Sequence, residues 1–195
     1  MKYTVGIDEG GRGPIAGPVA VGIFVYSDKF NENEWKDVRD SKKHTEKQRD
    51  TIYEYLCEKR KKGIVNFKVA MTPPARIDKE GIIIAIQAAL CGALKELNVH
   101  TKDAKLLLDG GLRAPKEFEH QETIIKGDTL ERAISFASIV AKVERDSLMK
   151  ELGKKYPSYG FENHKGYGTK AHFEAIKKYG LLPFHRRSFI HLYAK

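Results

Sequence analysis

The stretch Val5-Gly6-Ile7-Asp8-Glu9-Gly10-Gly11-Arg12-Gly13-Pro14-Ile15-Ala16-Gly17-Pro18-Val19 decides the fold. Upstream of its loop, Tyr3, Val5 and Ile7 alternate with Thr4, Gly6 and Asp8, the period of a strand. From Glu9 to Pro18 follows a ten-residue stretch with four glycines and two prolines. Val19 to Tyr26 is then apolar almost throughout, as in a strand covered on both faces. Gly11 to Ala16 matches the GxGxxA spacing of a dinucleotide site, but that motif needs a helix to open inside it. Pro18 follows Pro14 too closely for one. The segment is therefore strand, loop, strand. Its prolines stiffen the loop while its glycines keep the backbone approachable, which suits a ligand packed against peptide groups. A plain flexible connector is the simpler alternative.

Outward from this stretch, strands and helices alternate. Thr45-Glu46-Lys47-Gln48 has the spacing of a capping box and predicts a helix to Lys62. Ile64 to Met71 reads as a strand, and Pro73-Pro74 breaks the chain. Arg76 to Asn98 reads as one helix with a stripe at Ile82, Ile86, Leu90, Ala93 and Leu97. Ala104 to Leu108 and Glu122 to Lys126 read as strands. A helix is expected from Thr129 or Leu130 to Lys154, and a shorter one from Thr169 to Tyr179. This order predicts an α/β fold with a mixed central sheet flanked by helices, and a small helical region after it. The expected division is 1–150 for the sheet domain and 151–195 for the helical region.

Composition bounds the function. The 195 residues are 41% hydrophobic and 31% charged, a globular balance with net charge +9. Between Glu151 and Lys195 nine basic residues face three acidic ones, so +6 of the charge lies there, with five of the nine tyrosines. That clustering fits a polyanion-binding face as well as simple solubility charge. Cys57 and Cys91 form no CxxC pattern, which excludes a disulfide scaffold or zinc ribbon and points to a reducing compartment. No signal-peptide pattern opens the chain, so a cytoplasmic location is expected. The longest uncharged run, Gly81 to Leu94, has fourteen residues and reads as a buried helix; a membrane span needs about 20.

Asp8 and Asp109 each end a predicted strand, where ligands gather in open α/β sheets, and Glu9 adjoins Asp8. Converging, they would bind a hard divalent cation. Each also has a plainer reading: Asp109-Gly110 is a turn signal, Asp8 and Glu9 can cap a loop, and Asp128 can N-cap the helix that follows. Carboxylates repel nucleic acid unless a metal neutralises them, which suits metal-assisted phosphodiester hydrolysis. On the long helix, Ser138, Lys142 and Arg145 share a face and are candidate phosphate contacts, with Ile134, Ile139, Val140 and Val143 inward. Ser41-Lys42-Lys43 forms a second basic loop, and Tyr167 stands between glycines where it can stack on a sugar or base.

Together these segments resemble ribonuclease HII, the type 2 ribonuclease H family. The resemblance rests on Gly6 to Val19, Asp40-Ser41-Lys42-Lys43, Leu108-Asp109-Gly110, Lys126-Gly127-Asp128, Ala137 to Asp146, His164 to Thr169 and His185 to Phe189, in the family's order. It implies a ribonuclease H-like fold and a metal site formed by Asp8, Glu9, Asp109 and Asp128 with Mg²⁺ or Mn²⁺. It implies that Gly11-Arg12-Gly13 reads the ribose 2′-hydroxyl, largely through backbone groups, and that Tyr167 packs on the adjoining deoxyribose. The implied substrates are RNA–DNA hybrid and ribonucleotide-containing duplex DNA, cut to leave 3′-hydroxyl and 5′-phosphate ends. A monomer is expected, and no sliding-clamp motif is seen in Arg187 to Lys195. Gly10, Gly111, Thr129-Leu130-Glu131 and Ser135-Phe136 depart from the family pattern without removing an acid. A non-catalytic hybrid-binding module and a different nuclease on the same fold are the alternatives.

Overall fold

The computed structural model describes residues 1–35, 38 and 44–190. Ser41, Lys42 and Lys43 lie outside them, as does 191–195 of the segment searched for a clamp motif. Strands β1 (Tyr3–Gly10), β2 (Val19–Tyr26), β3 (Val65–Thr72), β4 (Ala104–Asp109) and β5 (Gln121–Ile124) form one sheet in the order β3-β2-β1-β4-β5. β2 is antiparallel to both β1 and β3, whereas β1, β4 and β5 run parallel. The expected mixed sheet is present, and it puts the ends of β1 and β4 side by side.

Helices cover both faces. On one lie α2 (Pro74–Glu80) and α3 (Ile82–Glu96), packed on Val5, Ile7, Val21, Ile23, Leu106 and Leu108. On the other lie α1 (Glu46–Lys61) and α5 (Arg132–Lys155), packed on Phe24, Phe67 and their neighbours. Thr45 and Gln48 make the expected capping box at the start of α1. Phe136 is fully buried, with ring centroids 5.0 Å from Phe24 and 5.5 Å from Phe30.

Two strand glycines seat α5. A Cβ at Gly6 would come within 1.9 Å of the Ala133 carbonyl oxygen, and one at Gly22 within 2.2 Å of that of Ala137. Ala133 and Ala137 are one helical turn apart, so α5 lies directly on the backbone of β1 and β2. The same contact carries Ser138 and Lys142 to the end of β1.

Three expectations need correction. The helix expected over Arg76 to Asn98 is two, broken at Gly81, whose φ of 84° and ψ of 155° are not helical. α3 is also not buried all round: Ile83 and Ile84 are 71% and 57% exposed. Asp128 does not N-cap the long helix. It lies in the first turn of the short α4 (Gly127–Leu130), and extended Glu131 separates α4 from α5. Ser135 bridges that break, its Oγ 2.7 Å from the Asp128 carbonyl oxygen and 3.0 Å from that of Glu131.

α5 continues past residue 150 without interruption. Beyond it, α6 (Phe161–His164), α7 (Lys170–Tyr179) and α8 (Arg187–Ile190) complete the described chain. Leu152, Tyr159, Phe161 and Ala175 form a small core here with Met149 and with Ala16 of the glycine loop. Asp78 of α2 accepts the Arg187 and Ser188 N–H groups at 2.9 and 3.0 Å, docking α8 against the sheet domain.

Candidate functional site

A cleft of about 450 Å³ opens where β1 and β4 end. Asp8, Glu9 and Asp109 line one wall; Gly11, Arg12, Gly13 and Tyr167 line the facing one. Ser138 and Lys142 reach it from α5.

The acids are crowded. Asp8 is 5% exposed and accepts the Glu9 N–H at 2.7 Å and the Ser138 hydroxyl. Burial, reinforced by Asp109 and Glu9, pushes its carboxyl up to about 8 despite the Ser138 bond. Burial likewise raises Glu9, against the pull of Arg12, whose Nη1 donates to Glu9 Oε1 at 3.1 Å. The other oxygen, Glu9 Oε2, is buried with no hydrogen-bond partner among the described residues. Asp109 Oδ1 accepts the Gly127 N–H at 2.6 Å, which pins α4 to the end of β4. Asp128 is buried beneath that turn, at 2% exposure, and does not line the cleft.

In these rotamers, no three acidic, histidine or cysteine side chains among the described residues close on one point as a metal cage. The chemistry of the donor set nevertheless fits a hard cation. Raised carboxyl pKa values and a buried carboxylate oxygen without a donor are what a divalent ion would relieve.

The facing wall joins three distant segments. Ile15 and Ala16 N–H groups donate to the Gly166 carbonyl at 2.9 and 3.1 Å, and the Gly17 N–H donates to the Phe184 carbonyl at 2.8 Å. Tyr167 stands next to Gly13, 46% exposed to the cleft. Behind it His164 and His172 stack at 4.3 Å, and His172 Nε2 lies 3.1 Å from His185 Nε2. His172 Nδ1 donates to the Tyr167 carbonyl at 2.8 Å. Burial lowers His172 to about 4 and also lowers His185.

Lys142 lines the cleft, its Nζ 3.0 Å from Asp146. Arg145 does not. It is 1% exposed, with Nε donating to the Pro18 carbonyl at 2.9 Å and Nη2 to that of Ala16 at 3.3 Å. The helical face lines the cleft at Ser138 and Lys142, after which it passes under the glycine loop. Two cations escaped sequence reasoning. Arg49 of α1 lines the cleft, but nothing in its helical context points there. Arg186 is fully buried behind the loop, and its only signal was its place in the His185 to Phe189 segment.

The family model for ribonuclease HII matches residues 5–192. The chain belongs to the ribonuclease HII family. Ribonuclease HII of Fusobacterium nucleatum is 41% identical over 194 residues, 97% of this chain and 86% of its own. Ribonuclease HII of Shewanella halifaxensis is 42% identical over 189 residues, 97% of this chain and 88% of its own. Among solved structures, the ribonuclease H2 of Pyrococcus horikoshii OT3 superposes with a TM-score of 0.76 at 28% identity, covering 95% of this chain and 93% of that one. Ribonuclease HII membership makes the chain a ribonuclease H hydrolase. No helix among the described residues is long and apolar enough to cross a membrane.

Proposed function

We propose that the protein is a divalent-metal-dependent endonuclease that cuts the RNA strand of RNA–DNA hybrids and incises duplex DNA at embedded ribonucleotides. The observation that carries this reading is the convergence of Asp8, Glu9 and Asp109 on one cleft whose opposite wall is the Gly11–Gly13 backbone and Tyr167. An acidic wall alone would repel a nucleic acid; facing a sugar-accessible backbone, it suits metal-assisted attack on a phosphodiester beside a ribose.

Asp8, Glu9 and Asp109 would hold Mg²⁺ or Mn²⁺; Asp128, buried in α4 and outside the cleft lining, would join them only by turning its carboxylate toward the ions. Bound there, the ions would supply charge stabilisation for the attacking water and the departing 3′-oxygen in an in-line displacement. The water oxygen bonds to phosphorus, the bond from phosphorus to the 3′-oxygen breaks, and that oxygen leaves with a proton as a 3′-hydroxyl, with a 5′-phosphate on the other fragment. Ser138 orients Asp8. Lys142 contacts the phosphate backbone and is held by Asp146. The Gly11-Arg12-Gly13 backbone reads the 2′-hydroxyl, and Tyr167 packs on the neighbouring sugar. The basic residues after Lys150 supply counter-charge for the duplex.

The test is a DNA duplex with one ribonucleotide, incubated with Mg²⁺ or Mn²⁺ and wild-type or Asp109→Asn protein. Wild type is expected to nick it beside the ribonucleotide, and the variant to leave it whole. An intact duplex with wild type, or equal cutting of an all-DNA duplex, overturns the reading.

A further inference from the structure

Arg186 makes the glycine loop's orientation a long-range property of the fold. Its Nη2 donates to the Gly11 carbonyl at 2.7 Å, Nη1 to the Arg12 carbonyl at 3.0 Å and Nε to the Gly17 carbonyl at 2.9 Å. The peptides are trans, so the carbonyl of one residue and the N–H of the next point in opposite directions. Drawing the Gly11 and Arg12 carbonyls inward therefore turns the Arg12 and Gly13 N–H groups the other way.

The rest of the loop behaves differently. The peptide from Ala16 to Gly17 gives its carbonyl to Arg145 and its N–H to the Phe184 carbonyl. The peptide from Ile15 to Ala16 gives its carbonyl to the Arg186 N–H and its N–H to the Gly166 carbonyl. Both edges of these peptides are used inside the protein. For the peptides joining Gly11 to Arg12 and Arg12 to Gly13, only the carbonyl edge is used: no hydrogen bond engages the Arg12 or Gly13 N–H among the described residues. Gly11, Arg12 and Gly13 all line the cleft.

The placement is costly. Arg186 has no surface exposure and lies near a second buried cation, Arg145. Burial first, then Arg145, draws its pKa down to about 9, with Asp78 partly compensating. A buried guanidinium needs every donor matched, and a planar fork meets several carbonyls at once where an ammonium cannot.

We propose that Arg186 is a positioning residue for ribose recognition: it fixes the two carbonyls so that the Arg12 and Gly13 N–H groups face the cleft as donors for an oxygen of the ribonucleotide. The inference rests on the proposed function and adds the residue that sets its specificity. Two sources can supply the oxygen, the ribose 2′-hydroxyl or a phosphodiester, and only the former is absent from DNA.

The experiment measures dissociation constants in the Asp109→Asn background for two duplexes differing only in one 2′-hydroxyl. The background should prefer the ribonucleotide duplex. Arg186→Lys keeps the charge but not the fork, and should lower that preference about tenfold, the worth of two ordinary hydrogen bonds. Its affinity for the all-DNA duplex should be unchanged. A merely structural role would weaken both duplexes alike or only reduce the active fraction. An unchanged preference overturns the proposal, and loss of affinity for both duplexes assigns the donors to a phosphate and overturns it too. A background with no preference counts against the proposed function itself and removes this inference with it. Should Arg186→Lys not fold, hydrogen exchange of the Arg12 and Gly13 amides in the background protein decides. Protection by the ribonucleotide duplex alone supports the proposal, and equal exchange in both complexes overturns it.

Discussion

The acidic wall of the cleft hangs from the ends of two adjacent parallel strands, whereas the facing loop is gripped by arginines 127 to 175 residues away in sequence. On the first wall, carboxylates are packed together with too few donors, and burial raises Asp8 and Glu9. On the second, buried guanidiniums and imidazoles are matched to backbone carbonyls, and burial lowers Arg186, His172 and His185. One wall has more buried carboxylate oxygens than donors to match them, Glu9 Oε2 among them. The other carries its own cations and leaves peptide N–H groups toward the cleft. The acids and the glycine loop therefore have separate supports, joined by α5 lying across the sheet.

Four experiments test that contrast. The largest effect is expected from Glu9→Gln, which replaces the unpartnered carboxylate oxygen. Turnover with Mg²⁺ should fall more than about 100-fold, beyond the usual range for residues that only support a ligand. Retention of near-normal turnover, measured on the same ribonucleotide duplex, would show that the acidic wall does not need this charge.

Gly6→Ala tests the joint between the walls. A methyl group directed at the Ala133 carbonyl must displace α5, with an expected loss of about 3 kcal/mol in chemical denaturation. A variant as stable as wild type would mean that α5 can lift without penalty.

The walls should also respond oppositely to pH. Asp8 is raised in the folded state from 3.8 to about 8, so its contribution to metal-free stability is present below about pH 4 and lost as pH rises toward 8. His172 is lowered from 6.5 to about 4, so its contribution is present above pH 6.5 and lost as pH falls toward 4. In thermal melts with EDTA, Asp8→Asn should therefore stabilise the protein at pH 8, by on the order of a few kcal/mol. His172→Gln should flatten the loss between pH 6.5 and 4, a change of about 1 kcal/mol or more. Parallel pH profiles for both variants and wild type would erase the contrast.

The smallest effect is expected from Lys142→Ala. Duplex affinity should weaken a few-fold, with the salt dependence reduced by about one charge. A salt slope equal to that of wild type would remove Lys142 from the phosphate contacts.

Features carried by neighbouring residues were legible without coordinates. The alternation from Tyr3 to Asp8, the apolar run from Val19 to Tyr26 and the capping box at Thr45 each depend on residues within a turn or a pleat. Asp109 ends β4 as its local pattern predicts, whereas β1 runs two residues past Asp8, to Gly10, because Glu9 and Gly10 still pair with Val21 and Ala20 of β2. Gly81 was less transparent, because a glycine inside a helical pattern does not by itself say whether the chain passes through it or breaks there. Arg145 misled for a different reason: its helical face was right, but whether that face meets solvent or a loop depends on Ala16 and Pro18, far away in sequence.

By itself, then, the sequence determined the strand–loop–strand opening, the chemistry of its acids and the family to which the chain belongs, because these reside in residue types and short-range order. Only the tertiary structure decided that Gly6 and Gly22 seat α5, that Asp128 is buried and that Arg186 holds the Gly11 and Arg12 carbonyls. The reason is physical. A side chain's periodicity tells which way it leaves its own element, but its hydrogen-bond partners and burial are set by whichever distant segment packs there.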